Sequence, residues 1–65
     1  MELKFQIYEF LMKNGKKWLV QDLSGELKMT PRRLLNFLNK LTMDYKNIKV
    51  RAGVRGDEYY WEEEK

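Results

Sequence analysis

The 65 residues include no cysteine and no histidine. Disulfide frameworks, thiol chemistry and the usual zinc sites are thereby excluded, and so is the commonest general base. Ser24 is the one serine, with no base to activate it, and the chain has no glycine-rich phosphate loop. Glu62, Glu63 and Glu64 are adjacent, so they cannot converge on a metal with defined geometry. A non-enzyme is expected, without cofactor or small-molecule substrate. No run approaches the roughly 18 apolar residues of a membrane span, so no membrane partner is expected. A signal peptide is not expected either, because helix-like sequence charged at Glu2, Lys4 and Glu9 begins at once. Lack of cysteine suits a reducing compartment, and the expected location is cytoplasmic or nucleoid-associated.

What remains is one small domain, close to the lower size limit for folding without disulfides or metal. The net charge of +3 conceals an asymmetry. Residues 1–56 carry 12 Lys/Arg against 5 Asp/Glu, a net of +7, whereas residues 57–65 carry one Lys against five acids, a net of −4. A basic body with a pI near 9.3 is compatible with a nucleic-acid partner.

Hydrophobic spacing predicts three helices and a hairpin, at about 2–14, 20–28, 30–43 and 47–62. In the first helix Leu3, Ile7 and Leu11 recur at i, i+4, i+8, and Asn14-Gly15 is expected to stop it through a left-handed glycine. Phe5 and Met12 fall on the far side of the wheel from Ile7. Phe5, Tyr8 and Met12 are thus a candidate docking face for a second copy or a larger partner. "KKWLV" is a connector or a single bridging strand. Leu23 and Leu27 face inward from a second helix that Gly25 weakens. Thr30 as N-cap and Pro31 at the first helical position open a third helix, whose buried seam is Leu34, Leu38 and Leu41.

After Asn47 the period changes to two. Ile48, Val50, Ala52 and Val54 alternate with Lys49, Arg51, Gly53 and Arg55, the pattern of a half-buried strand. Arg55-Gly56-Asp57 reads as the turn, and "EYYWE" as the returning strand. Tyr59 and Trp61 share one face and Tyr60 takes the other, and the pattern leaves open which face is inward. The RGD string itself is short enough to arise by chance, so no integrin reading is drawn.

This order of elements resembles the winged helix-turn-helix superfamily over residues 3–61. "IYEFLMKNG" is similar to that family's first helix. "VQDLSGELKMTPRRLLNFLNKL" resembles its helix-turn-helix, with Leu23, Leu27, Met29, Leu34, Leu38 and Leu41 at buried positions, and "IKVRAGVRGDEYYW" resembles its wing. The resemblance implies an α+β fold, a small winged helix-turn-helix with three helices followed by a C-terminal β-hairpin wing. It also implies double-stranded DNA as the partner and transcription regulation as the role. The subgroup that reads left-handed DNA carries Asn and, four residues on, Tyr in its third helix. Leu35 and Asn39 stand at those places here, so that reading is rejected.

At about 100° per residue, with Leu34 at zero, Asn36 lies opposite the seam, and Arg32, Arg33, Asn39 and Lys40 lie within about 60° of it. These are the side-chain types that meet guanine edges, adenine edges and phosphates in a major groove. Thr30 at the helix start would help fix the backbone register. On the wing, Arg51 and Arg55 with Gly53 and Gly56 suit phosphate or the minor groove, although Asp57 and Glu58 stand against it. Lys16 and Lys17 either reach a phosphate or merely solvate their loop. Leu35 has three readings: packing under the wing, a thymine-methyl contact, or a protein-binding patch with Phe37. Phe5, Tyr8, Met12, Leu35 and Phe37 together define the alternative function, a winged-helix protein-interaction module within a replication, transcription or recombination assembly.

Overall fold

The computed structural model describes residues 2–63. The acidic stretch Glu62 to Glu64 is expected from the sequence to be a solvated strand end; Glu62 and Glu63 are exposed just after the last strand, and Glu64 lies outside the described residues. Six elements follow one another: α1 (Leu3–Lys13), β1 (Trp18–Leu19), α2 (Val20–Leu27), α3 (Pro31–Asp44), β2 (Ile48–Gly53) and β3 (Gly56–Trp61). The radius of gyration is 10.7 Å, the value of about 10.7 Å expected for a packed chain of this length. The fold is a small α+β domain with three helices and a three-stranded antiparallel sheet.

The helix ends are set by different devices. Asn14 closes α1, its backbone N–H and its Nδ2 both donating to the Phe10 carbonyl at 2.9 Å. The left-handed glycine expected there is not used, since Gly56 is the only described glycine with positive φ. Lys28 ends α2 one residue earlier than expected by adopting φ 55, ψ 45, and the Met29 N–H then bonds back to the Ser24 carbonyl at 3.1 Å. Thr30 caps α3 by accepting from the Arg33 N–H at 3.4 Å, with Pro31 in the first turn. That is the signal read from the sequence, and here it holds.

The sheet order is β1-β3-β2. Trp18 and Leu19 form a bridging strand on the far side of β3, with Trp18 opposite Tyr59 and Leu19 opposite Glu58. On the near side Ile48 faces Trp61, Val50 faces Tyr59, and Arg51 faces Glu58. Residues directly opposite share a face. One face therefore carries Trp18, Tyr59, Val50, Ile48 and Trp61, and the other Leu19, Glu58, Arg51, Tyr60 and Lys49. Burial shows which is inward: Trp18, Ile48 and Tyr59 join Ile7, Leu11, Leu23, Leu34, Leu38 and Leu41 in the core. Asn14 also accepts the Trp18 indole N–H at its carbonyl, at 3.2 Å, which ties the first connector to the end of α1. Trp61 donates its indole N–H to the Tyr8 hydroxyl at 3.1 Å, and the Tyr8 ring lies 4.7 Å from that of Tyr45.

Two expectations about the hairpin are corrected. The half-buried strand is buried only at its root, at Ile48; Val50 is 46% and Val54 106% exposed. The turn is also displaced by one residue. It consists of Val54 and Arg55, between the paired Gly53 and Gly56, and Gly56 takes the φ of +129 that an L side chain rarely adopts. A Cβ on Gly53 would lie 2.8 Å from the Glu58 side chain, so that glycine leaves room for Glu58 to lie across the outer face.

Candidate nucleic-acid interface

α3 holds the candidate residues on a rigid frame. Its Leu34, Leu38 and Leu41 are fully buried, so the opposite side must face solvent. Thr30, Arg32, Arg33, Asn36, Asn39 and Lys40 are all exposed. The ion pairs among the described residues are Lys4–Asp44 at 2.9 Å, Lys13–Glu9 at 3.8 Å and Arg51–Glu58 at 3.7 Å. None of them involves Arg32, Arg33, Lys40 or Arg55, so these four cations have no acid partner there. Thr30 spends its oxygen lone pair on the Arg33 N–H, which leaves the hydroxyl proton available as a donor.

Extending the wheel through the last turn adds two residues that the sequence reading left out. Met43 projects from the middle of the polar face, 85% exposed. Asp44 stands about 80° from Asn36, and Lys4 donates to its Oδ2 at 2.9 Å. That hydrogen bond, outweighing partial desolvation and aided by the carboxylate's charge, raises the Lys4 ammonium above its ordinary 10.5. The one acid near the face is thus already engaged.

The hairpin turn comes down beside the start of α3. A cleft of about 340 Å³ is lined by Leu19, Val20 and Gln21 at the start of α2, by Pro31 of α3, and by Arg55, Gly56 and Asp57 of the hairpin. α2 has no side-chain cap hydrogen bond, so first-turn backbone N–H groups are left without that partner at this edge. Arg55 and the first turn of α3 therefore share one edge of the molecule. Arg51 does not join them. It lies on the outer face of the sheet, its Nε 3.7 Å from Glu58.

The remaining candidates separate. Leu35 does not pack under the hairpin: it is 39% exposed and outside the core cluster. Phe37 packs against the core and lines a second groove of about 350 Å³ with Glu2, Leu3, Lys4 and Lys40. Leu35 and Phe37 lie about 160° apart around the helix, so they do not form one patch. On α1, Phe5 (44%) and Met12 (41%) are exposed, whereas Tyr8 is drawn inward by Trp61 and Tyr45. Lys16 and Lys17 lie over aromatic rings, 4.1 Å from the Trp18 centroid and 5.4 Å from that of Tyr60.

No protein-family model, curated protein or solved structure matches this chain.

Proposed function

We propose that the protein is a winged helix-turn-helix domain that binds double-stranded DNA, with α3 in the major groove and the β2–β3 hairpin as the wing, and that it acts in transcription regulation. The observation that carries this reading is the exposed face of α3. Arg32, Arg33 and Lys40 are without acid partners among the described residues, and Asn36 and Asn39 lie between them. Arg presents paired donors to the two acceptors of a guanine edge, Asn a donor and an acceptor to an adenine edge, and Lys meets phosphate as a point charge. Arg55 sits on the same edge as the first turn of α3 and would continue the contact onto the flanking backbone or minor groove. Arg51 takes part only if phosphate displaces its long contact to Glu58. A single module of this size buries little surface, so binding alone is weak and salt-sensitive.

The test is fluorescence anisotropy with a labelled duplex of about 20 base pairs, two helical turns, at low and near-physiological salt. Arg32→Ala/Arg33→Ala should weaken binding by about 1–3 kcal/mol for each arginine that reads a base, or flatten the salt dependence if they hold phosphates. Wild-type affinity in the double variant would remove α3 from the interface.

A second reading, a winged-helix protein-interaction module, draws on Phe5 and Met12, which are exposed together on the outer side of α1. Their patch is far smaller than the roughly 800 Å² per partner of a stable complex, so it would be one part of a larger surface. Phe5→Asp abolishing capture of a partner, with the arginine variant unaffected, would favour it.

A further inference from the structure

The outer face of the sheet is not needed for duplex binding by α3, and it carries a pattern of its own. Tyr60 points away from the core near the C-terminal end of the central strand, with Lys49 directly opposite it on β2. On its other flank is Lys17, just before β1, whose ammonium lies 5.4 Å from the ring centroid. Neither Tyr60 nor its outer-face neighbour Leu19 packs against the core cluster. Both are nonetheless half-buried, so their cover comes from neighbours on this face, Lys17 over Tyr60 among them. An aromatic ring thus lies between two lysines in a row that crosses all three strands.

We propose that this row binds single-stranded nucleic acid, with one base stacked on Tyr60 and the adjoining phosphates on Lys17 and Lys49. The ring supplies a π-face, and only an unpaired base has a free face to set against it, since in a duplex each base is covered by its neighbours. Lys49 stands on β2 and Lys17 at the entry to β1, roughly 10 Å apart by strand spacing, one on each flank of the stacked base. A cation at 5.4 Å is near the outer limit of attraction to a ring. Stacking a base is the stronger contact, so Lys17 gives up its place over Tyr60 and turns to phosphate. The acids of this face are accounted for. Glu58 lies 3.7 Å from Arg51. Glu62 follows β3 at the foot of the row, where its backbone is pinned to Asn47, and it turns the phosphate path towards the Arg51 end. The site is independent of α3, and it selects single strands where α3 selects duplex.

The experiment is anisotropy with labelled oligothymidylate and oligouridylate of about 12 nucleotides, within the site size of small stacking platforms, at low salt. The proteins are the full chain as wild type, Tyr60→Ala, Tyr60→Phe, Lys17→Glu/Lys49→Glu and Arg32→Ala/Arg33→Ala. The expected result is unchanged affinity for Tyr60→Phe and a loss of about tenfold or more for Tyr60→Ala. The lysine reversals should abolish binding and the α3 variant should retain it. Circular dichroism checks the fold of Tyr60→Ala; should that variant unfold, the exposed lysine reversals decide the matter alone. No binding of either oligomer by wild type would overturn the proposal. So would lysine reversals within twofold of wild type, or dependence on the α3 arginines instead. Because the α3 variant separates the two surfaces, failure of duplex binding leaves this result standing.

Discussion

Tyr59 is where the core meets titration chemistry. It is 4% exposed, and burial, with a smaller contribution from the charge of Asp57, raises its hydroxyl above the ordinary 10.0. The folded state therefore holds the proton more tightly than the unfolded one. Stability is at its full value below pH 10 and falls as the pH climbs through the folded value. Lys4 acts in the same direction, because its bond to Asp44 weakens once the ammonium deprotonates above the ordinary 10.5. Thermal melts across the alkaline range should show a steepening loss above about pH 10, and Tyr59→Phe should delay it. An identical alkaline profile in Tyr59→Phe would mean that another group controls it. Tyr8 shows why side-chain roles are hard to read one at a time. Its place on the rim of the α1 stripe is legible from spacing, but its bond to Trp61 joins positions 53 residues apart and has no local signal.

At the scale of the element, α2 has two residues in each other's preferred place. Gly25 lies in the interior of the helix, where it is costly, and nothing stands within 4 Å of where its Cβ would be. Lys28 holds the left-handed cap, where glycine is favoured. Gly25→Ala and Lys28→Gly should each stabilise the protein, by about 0.5–1 kcal/mol. Urea midpoints would shift upwards in both variants with unchanged slopes. A lower midpoint for Lys28→Gly would show that the lysine side chain supports the turn more than its backbone strains it. The helices themselves were legible because leucines at i, i+4 and i+7 allow only one inward face, and Thr30-Pro31 marks a start unambiguously. The hairpin was less so. Glycines at 53 and 56 offer two placements for one turn, and Val54-Arg55 carries no turn chemistry to choose between them. The inward face of β3 depends on its pairing with a strand only two residues long, too short to show a period. The polar face of α3 follows from helical geometry alone. The approach of Arg55 to Pro31 depends on where the hairpin comes to rest against the helices, and no local pattern encodes that.

For the whole molecule the sheet order is decisive. β3 is the last of the described elements and the middle strand of the sheet, and it joins β1 to β2. Trp18 and Tyr59 are both core residues and direct partners across it. A chain ending at Glu58 should lose the helical circular dichroism of the native state, whereas one ending at Glu62 should keep it. Native-like helicity in the shorter chain would mean that the helices pack without the sheet. Only nine side chains form the core of the described residues, and two of them, Trp18 and Tyr59, depend directly on this pairing. The same arrangement acts on the protein while it is being made. Synthesis is vectorial, at roughly 5–20 residues per second, and β3 leaves the ribosome after the three helices and the two strands it joins. Until then Ile7, Leu11 and the leucines of α3 lack the cover that β3 completes, and the nascent chain presents itself to chaperones and proteases. A chain broken off before β3 would still carry the basic face of α3, but with the leucines behind it short of that cover.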